Sequence, residues 1–250
     1  MNSMKTVELK ESILRDNDRD AEELRAELRE NHVFALNVMS SPGSGKTTAI
    51  IQTISRLKDR YHIGVMEADI DGDVDAKAVE AAGVRAVQLH TGGMCHLDAQ
   101  MTRQGLAALG CPAEEMVLEW QEDEHRTSAR RLVGGGGYDL VILENVGNLV
   151  CPAEFDTGCT KNCVIYSVPE GDDKPRKYPL MFEKADVVLI SKMDAAPAFD
   201  FDLEKAAGWI RKRNPRCEII PISAKTGEGI DTWCAWLTAA IHGAENWKGL

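Results

Sequence analysis

The sequence predicts an α/β fold, a mainly parallel sheet sandwiched by helices, and three observations predict it. Seven short apolar segments rich in Val, Ile and Leu recur along the 250 residues and read as buried strands. Segments with helical spacing of apolar residues separate them. A Gly-rich turn joins the first of those strands to the helix that follows, the opening of a strand–turn–helix unit.

Taken in order, residues 1–31 are polar, with Leu24 and Leu28 four apart and Ile13 and Leu14 upstream. They read as an N-terminal helical extension that lays its apolar stripe on its own domain. Strands follow over 33–39, 62–67, 84–89, 138–144, 163–168, 186–191 and 217–222. Helices are predicted over 47–59, 73–82, 97–109, 114–133, 200–213 and 229–241. In such sheets ligands sit outside the carboxyl ends of the strands, so those ends are where chemistry is expected.

The net charge of −11 excludes a duplex-binding surface and a general affinity for anionic membrane, so neither nucleic acid nor membrane is an expected partner. No apolar run approaches a bilayer span, and the charged start MNSMKTVELKES shows no signal peptide. Seven cysteines, an odd number without an export signal, point to reduced thiols in the cytoplasm.

The Gly-rich turn is Ser40-Ser41-Pro42-Gly43-Ser44-Gly45-Lys46-Thr47-Thr48. Its glycines permit a concave nest of inward N–H groups, and the helix behind it adds a partial positive charge. Lys46 offers a charge to β/γ-phosphates and Thr47 a hydroxyl to Mg²⁺. Ser40 stands where the general pattern has Gly. After the second strand, Glu67-Ala68-Asp69-Ile70-Asp71-Gly72-Asp73-Val74-Asp75 crowds carboxylates at a strand end, where phosphate-bound Mg²⁺ takes its ligands. The fourth strand ends in Glu144, and Gly147 follows three residues later. That spacing suits an acid at the Mg²⁺ water shell and an N–H that meets a γ-phosphate. The expected set is therefore Gly43, Ser44, Gly45, Lys46, Thr47, Thr48 and Gly147 on phosphate. Lys46, Thr47 and Glu144 would carry the catalysis.

Ser191-Lys192-Met193-Asp194 closes the sixth strand, and Ser223-Ala224-Lys225 the seventh. A turn of the first kind reads guanine: Asp194 accepts from the N1 and N2 donors, and the Lys192 stem lies over the ring. The second turn offers a backbone N–H to O6. Adenine presents the opposite pattern. Ser191 stands where Asn is usual and where Asn tethers neighbouring loops, so weaker nucleotide binding is expected.

Cys95-His96 lies in the glycine-loosened turn after the third strand, and Cys151 follows Glu144 by seven residues. Together they can present Cys, His and Cys donors to Ni²⁺ or Zn²⁺. Spacing alone leaves open that Cys95 is a buried thiol beside a helix-capping histidine.

The segments MSSPGSGKTT, EADIDGDVDA, TGGMCHLDAQM, ILENVGNLVCPAEFD, VPEGDDKPRKYPLMF, ISKMD and SAKTGEG together resemble the HypB family. These are GTPases that serve nickel insertion during maturation of nickel–iron hydrogenase, related to the urease accessory GTPase UreG. The likeness runs from about Val33 to the last helix. It implies a P-loop NTPase fold of the dimerising SIMIBI type over 32–250. It implies hydrolysis of GTP to GDP with Mg²⁺, a nucleotide-dependent homodimer and a nickel or zinc site at its interface. A HypA-type nickel chaperone and the hydrogenase large subunit are the implied partners. Carried over by position, Cys95, His96 and Cys151 are metal ligands. Thr47, Asp69, Asp75 and Glu144 serve Mg²⁺, and Lys192 and Asp194 read the base. Gly72 replaces a usual Thr, Cys159 and Cys163 fall where other residues are expected, and 111–137 reads as an inserted helical stretch. The Cys-rich and His-rich amino-terminal tracts of some relatives are absent, so storage of many nickel ions is not expected. Two other readings compete: a partitioning-type P-loop ATPase, and a non-catalytic metal-binding protein switched by nucleotide.

Overall fold

The computed structural model describes residues 9–69, 74–110, 121–123, 126–128 and 137–243. In chain order it runs α1 (Leu9–Glu30), β1 (Phe34–Ser40), α2 (Lys46–Leu57), β2 (Ile63–Asp69), α3 (Val74–Ala81), β3 (Arg85–His90) and α4 (Ala99–Leu109). Two short strands follow, β4 (Gln121–Asp123) and β5 (Arg126–Ser128). The chain continues through β6 (Leu140–Glu144), α5 (Cys151–Glu154), β7 (Lys161–Ser167), α6 (Lys174–Lys177), α7 (Pro179–Glu183) and β8 (Val187–Ser191). It closes with α8 (Leu203–Arg213), β9 (Glu218–Pro221) and α9 (Ile230–Ile241).

The main sheet has seven strands in the order β3-β2-β6-β1-β7-β8-β9. Every neighbouring pair in it is parallel. Every residue of β1, β6 and β8 is buried, as expected of strands covered on both faces, whereas the edge strand β3 exposes both ends. After β1 the chain builds the β2–β3 side of the sheet; after β6 it crosses to the β7 side. The carboxyl ends of β1 and β6 therefore border the crevice where such sheets bind ligands.

Three apolar clusters fill the two faces. One packs Ile50, Ile54 and Leu57 of α2 and Trp233 and Leu237 of α9 onto β1, β2 and β6. The opposite face is covered in part by α1, whose Leu24 and Leu28 are almost fully buried. Arg25 of α1 holds Asp156 through both carboxylate oxygens, at 2.7 and 2.8 Å. Asn17 donates to the Asp156 carbonyl at 2.9 Å and accepts from the Ala99 N–H at 3.1 Å, so α1 is tied to both α4 and the loop after α5. Gly158 has φ +74°, and a Cβ there would lie 2.8 Å from Leu24, so only glycine lets the helix approach so closely. Removing Leu24 to Ala would cost about 2–5 kcal/mol.

The helix expected over 114–133 differs from what is seen. Its described residues are extended: β4 and β5 pair antiparallel, with Gln121 opposite Ser128 and Asp123 opposite Arg126. Opposite charges three apart suit a helix, but they also stand in register across a hairpin with a two-residue connection. The rest of the proposed insertion, apart from Gly137, lies outside the described residues.

Candidate nucleotide and metal site

β1 delivers the chain to a turn that needs two left-handed residues, Gly43 at φ 70° and Gly45 at φ 93°. α2 begins directly at Lys46. The Lys46 ammonium donates to the Ser40 hydroxyl at 2.9 Å and lies 3.9 Å from Glu144 Oε1. The Thr47 hydroxyl donates to the same Glu144 oxygen at 3.2 Å. Ser40, which departs from the usual Gly, thus holds the lysine head over the turn. Lys46, Thr47 and Glu144 converge as the sequence predicts. A hydroxyl beside a buried carboxylate, both facing a phosphate nest, is a donor set that fits Mg²⁺ carried by a nucleotide phosphate. Thr48 is exposed on the outer side of the first turn.

Gly147 approaches the turn closely. A Cβ at that position would stand 3.3 Å from the Cα, N and Cγ of Pro42. The segment reaching it is anchored by a row of amides that runs from the end of β6 across β1 to β7. Asn145 donates to Asn37 at 3.1 Å, and Asn37 donates to Asn162 at 2.9 Å. The Asn145 carbonyl oxygen accepts from the Val146 N–H at 2.9 Å, and the Asn145 N–H donates to the Val38 carbonyl at 2.9 Å. Asparagines at 37 and 145 are 2 % and 0 % exposed, so their mutual pairing is what makes their burial tolerable.

Glu67, which opens the acidic run but has no site role in the sequence reading, is a second carboxylate at the site. It stands in register with Glu144 on the neighbouring strand, and both are buried. Asp69 closes β2, and Asp75 lies in the first turn of α3; residues 70–73 between them, Gly72 included, lie outside the described residues.

The Ser191–Asp194 and Ser223–Lys225 turns meet. Asp194 accepts from the Ser223 hydroxyl at 2.7 Å, and Ser223 accepts from the Thr226 N–H at 3.2 Å. The Met193 N–H donates to the Ile222 carbonyl at 3.1 Å. Lys192, at φ 60°, sends its ammonium to the Gly43 carbonyl at 2.7 Å. Its stem therefore spans from the base turn to the phosphate turn. Ser191 also makes a tether, donating to the Ser44 carbonyl at 2.6 Å from a buried position. The hydroxyl supplies the loop-to-loop link that its replacement of Asn was expected to lose. Ala224 is half-buried and Lys225 exposed.

At the same sheet end, Gly92 and Gly93 turn the chain at φ 62° and 92° into Cys95 and His96. Cys151 opens α5, its N–H held by Asn148 Oδ1 at 3.3 Å. The Cys95 thiol lies beside that of Cys151 and pushes the Cys151 thiol above its ordinary range, with burial adding to it. His96 is stacked on Phe155, centroids 3.7 Å apart, and its Nδ1 is buried without a hydrogen-bond partner. Desolvation lowers its pKa, against the opposing pull of Asp98 and Glu154. Among the described residues, no three His, Cys, Asp or Glu side chains are grouped closely enough to hold a metal ion. One chain thus presents two adjacent soft donors, half of the four a nickel or zinc ion takes. Exposed Met94 and Val150 flank them. Cys159 and Cys163 are buried; burial pushes both thiols up, Cys159 to about 12. They are packing residues.

A parallel sheet, a phosphate nest capped by Lys46 and Thr47, and a paired Asp194–Ser223 turn define a P-loop nucleotide-binding protein. The family model described as "CobW/HypB/UreG, nucleotide-binding domain" matches residues 34–221. The hydrogenase maturation factor HypB of Azotobacter vinelandii is 43% identical over 237 residues, covering 95% of this chain and 70% of that protein. Two solved structures are similar to this chain over 91% of its length, each with a TM-score of 0.76. HypB from Archaeoglobus fulgidus is 36% identical over all of that chain, and HypB from Helicobacter pylori, solved in complex with nickel, is 34% identical over 96% of its chain. The chain belongs to the HypB family of hydrogenase maturation factors. Among the described residues, no helix is long and apolar enough to cross a membrane.

Proposed function

We propose that this protein hydrolyses GTP and uses the nucleotide state to hold and release nickel for a nickel–iron hydrogenase in the cytoplasm. One observation carries the reading: a single segment, Glu144 to Cys151, connects the phosphate nest to the thiol pair and touches Pro42 at Gly147 on the way. The A. vinelandii and H. pylori likenesses support hydrogenase maturation and nickel as the cargo. Zinc suits the same thiols.

Lys46 and the nest N–H groups would offset charge on the transferring phosphoryl group, and Thr47 and Glu144 would hold Mg²⁺ carried by the nucleotide. Asp69 and Asp75 lie on the elements flanking that shell. Bound Mg²⁺ neutralises β/γ-phosphate charge. Asp194 orients guanine, and the Ser223 hydroxyl fixes the carboxylate for that contact. A second copy would supply the remaining two thiols about a two-fold axis and enclose Met94 and Val150. A HypA-type chaperone and the hydrogenase large subunit would then give and take the ion.

Multiple-turnover phosphate release tests this reading against its two rivals. GTP should be hydrolysed, ATP should not compete, and Lys46→Ala should lose about a hundredfold or more in rate. Competition by ATP at equal concentration supports the ATPase, and absence of turnover supports the non-catalytic switch.

A further inference from the structure

α6 packs against α8 beside the indole of Trp209. Two cations converge on that one ring. The Arg176 guanidinium lies 5.5 Å from its centroid and the Lys212 ammonium 5.7 Å. Four neighbouring cations on the same elements are matched to carboxylates. Lys174 pairs with Glu170 at 3.3 Å, Lys177 with Asp173 at 2.8 Å, Lys205 with Asp172 at 3.0 Å and Arg213 with Glu183 at 3.6 Å. Arg176 and Lys212 have no such partner among the described residues, and both are exposed. The Trp209 indole N–H is buried and has no acceptor. Pro175, Arg176, Trp209, Lys212 and Arg213 line a shallow cavity of about 350 Å³ there.

Three independent features therefore ask for the same thing. Two exposed cations beside one ring, neither with a carboxylate partner among the described residues, offer charge to an anion. A buried donor without an acceptor costs roughly 1–3 kcal/mol. A planar guanidinium beside an aromatic surface matches a carboxylate in two-point geometry. Trp and Arg together are also the residue types that dominate protein interfaces.

We propose that the Arg176–Trp209–Lys212 cluster is a docking site for an acidic segment of a partner protein, whose Asp or Glu carboxylates seat between the two cations. Charge complementarity selects the partner: the chain is acidic overall, at −11, so a general electrostatic attraction for an acidic peptide is absent and any binding must be local. A bound carboxylate takes the guanidinium and ammonium directly.

Fluorescence polarisation with a labelled hexaglutamate peptide at 0.15 M salt tests this on the full chain. Arg176→Gln with Lys212→Gln should weaken binding about tenfold or more. Trp209→Phe keeps the ring and removes the N–H, and should weaken it severalfold. Lys177→Gln with Lys205→Gln, which removes cations already matched to carboxylates, should leave it unchanged. Inorganic phosphate and tripolyphosphate should displace the peptide poorly at equal anionic charge. No binding by the unmutated chain, equal binding by the Arg176/Lys212 double variant, or full displacement by tripolyphosphate each overturns the proposal; the last would make this a small-anion site.

Discussion

Gly147 lies against Pro42 with no room for a side chain: a Cβ there would meet three Pro42 atoms at 3.3 Å. Pro42 belongs to the phosphate turn, and Gly147 to the segment that ends in Cys151. The contact is between backbone and ring atoms, so neither side can yield by rotating a flexible side chain. Gly147→Ala should push the segment off the turn by a few tenths of an ångström. It should weaken a GTP analogue relative to GDP by about fivefold, or about 1 kcal/mol. Titrating both nucleotides into the variant checks it, and an unchanged ratio would show that Gly147 does not sense the γ-phosphate.

Asp194 is the proposed acceptor for guanine. Asp194→Asn should lower GTP affinity and raise that for xanthosine triphosphate, because the amide offers a donor to the xanthine oxygen. Ser223→Ala should act more mildly, by roughly 1 kcal/mol, since it removes only the hydroxyl that orients Asp194. Competition binding with the three nucleotides reads both effects. If guanine preference survives Asp194→Asn, the base-reading assignment fails.

Asn145 and Asn37 are buried members of the Asn145–Asn37–Asn162 row, so breaking its middle member should cost more than one hydrogen bond. Asn37→Ala leaves the Asn145 donor and the Asn162 acceptor unmatched. The expected loss is about 2–4 kcal/mol of unfolding free energy, read from the denaturant midpoint at constant slope. A loss below about 0.5 kcal/mol would mean that the neighbouring amides find other partners.

The α1 clamp predicts a local rather than a global effect. Arg25→Ala removes both contacts to the Asp156 carboxylate and the Arg25 contact to the Cys159 carbonyl. Arg25 is partly exposed, so the cost should stay near 1 kcal/mol. Amide hydrogen exchange should quicken in α1 and in the loop around Gly158 while β1 and β6 keep their protection. Uniform loss of protection would contradict this.

Much of the fold was legible because the parallel strands are continuous apolar runs and the phosphate turn has its own signature. Strand and helix positions on either side of the P-loop agree with the periodicity to within a few residues. Lys46, Thr47 and Glu144 meet as expected, since a turn, a helix start and a strand end leave them little freedom. What sequence could not show is pairing across the sheet. Glu67 lies inside a strand, and only the register reveals that it neighbours Glu144. Asn37, Asn145 and Asn162 are far apart in sequence, and nothing local announces their row. Ser191 was read as a lost Asn because the pattern names a residue type, while the tether needs only a donor at the right height. The 114–133 stretch misled because its charge spacing suits a helix and a hairpin alike.

The account rests most heavily on the claim that nucleotide state and metal affinity are coupled through residues 144–151. That segment spans only roughly 25 Å when fully extended, so a shift at Gly147 must be felt at Cys151. Coordination tolerates small errors in ligand distance, and linkage requires the effect to run both ways. The direct measurement is the nickel dissociation constant of the chain loaded with GDP and with a non-hydrolysable GTP analogue, for the unmutated protein and for Cys151→Ser. Sedimentation in the same samples reads the dimer. The account predicts constants that differ by about fivefold or more between nucleotide states, with the difference abolished in Cys151→Ser. Equal constants in both states of the unmutated protein would contradict it and leave a GTPase whose thiol pair is passive.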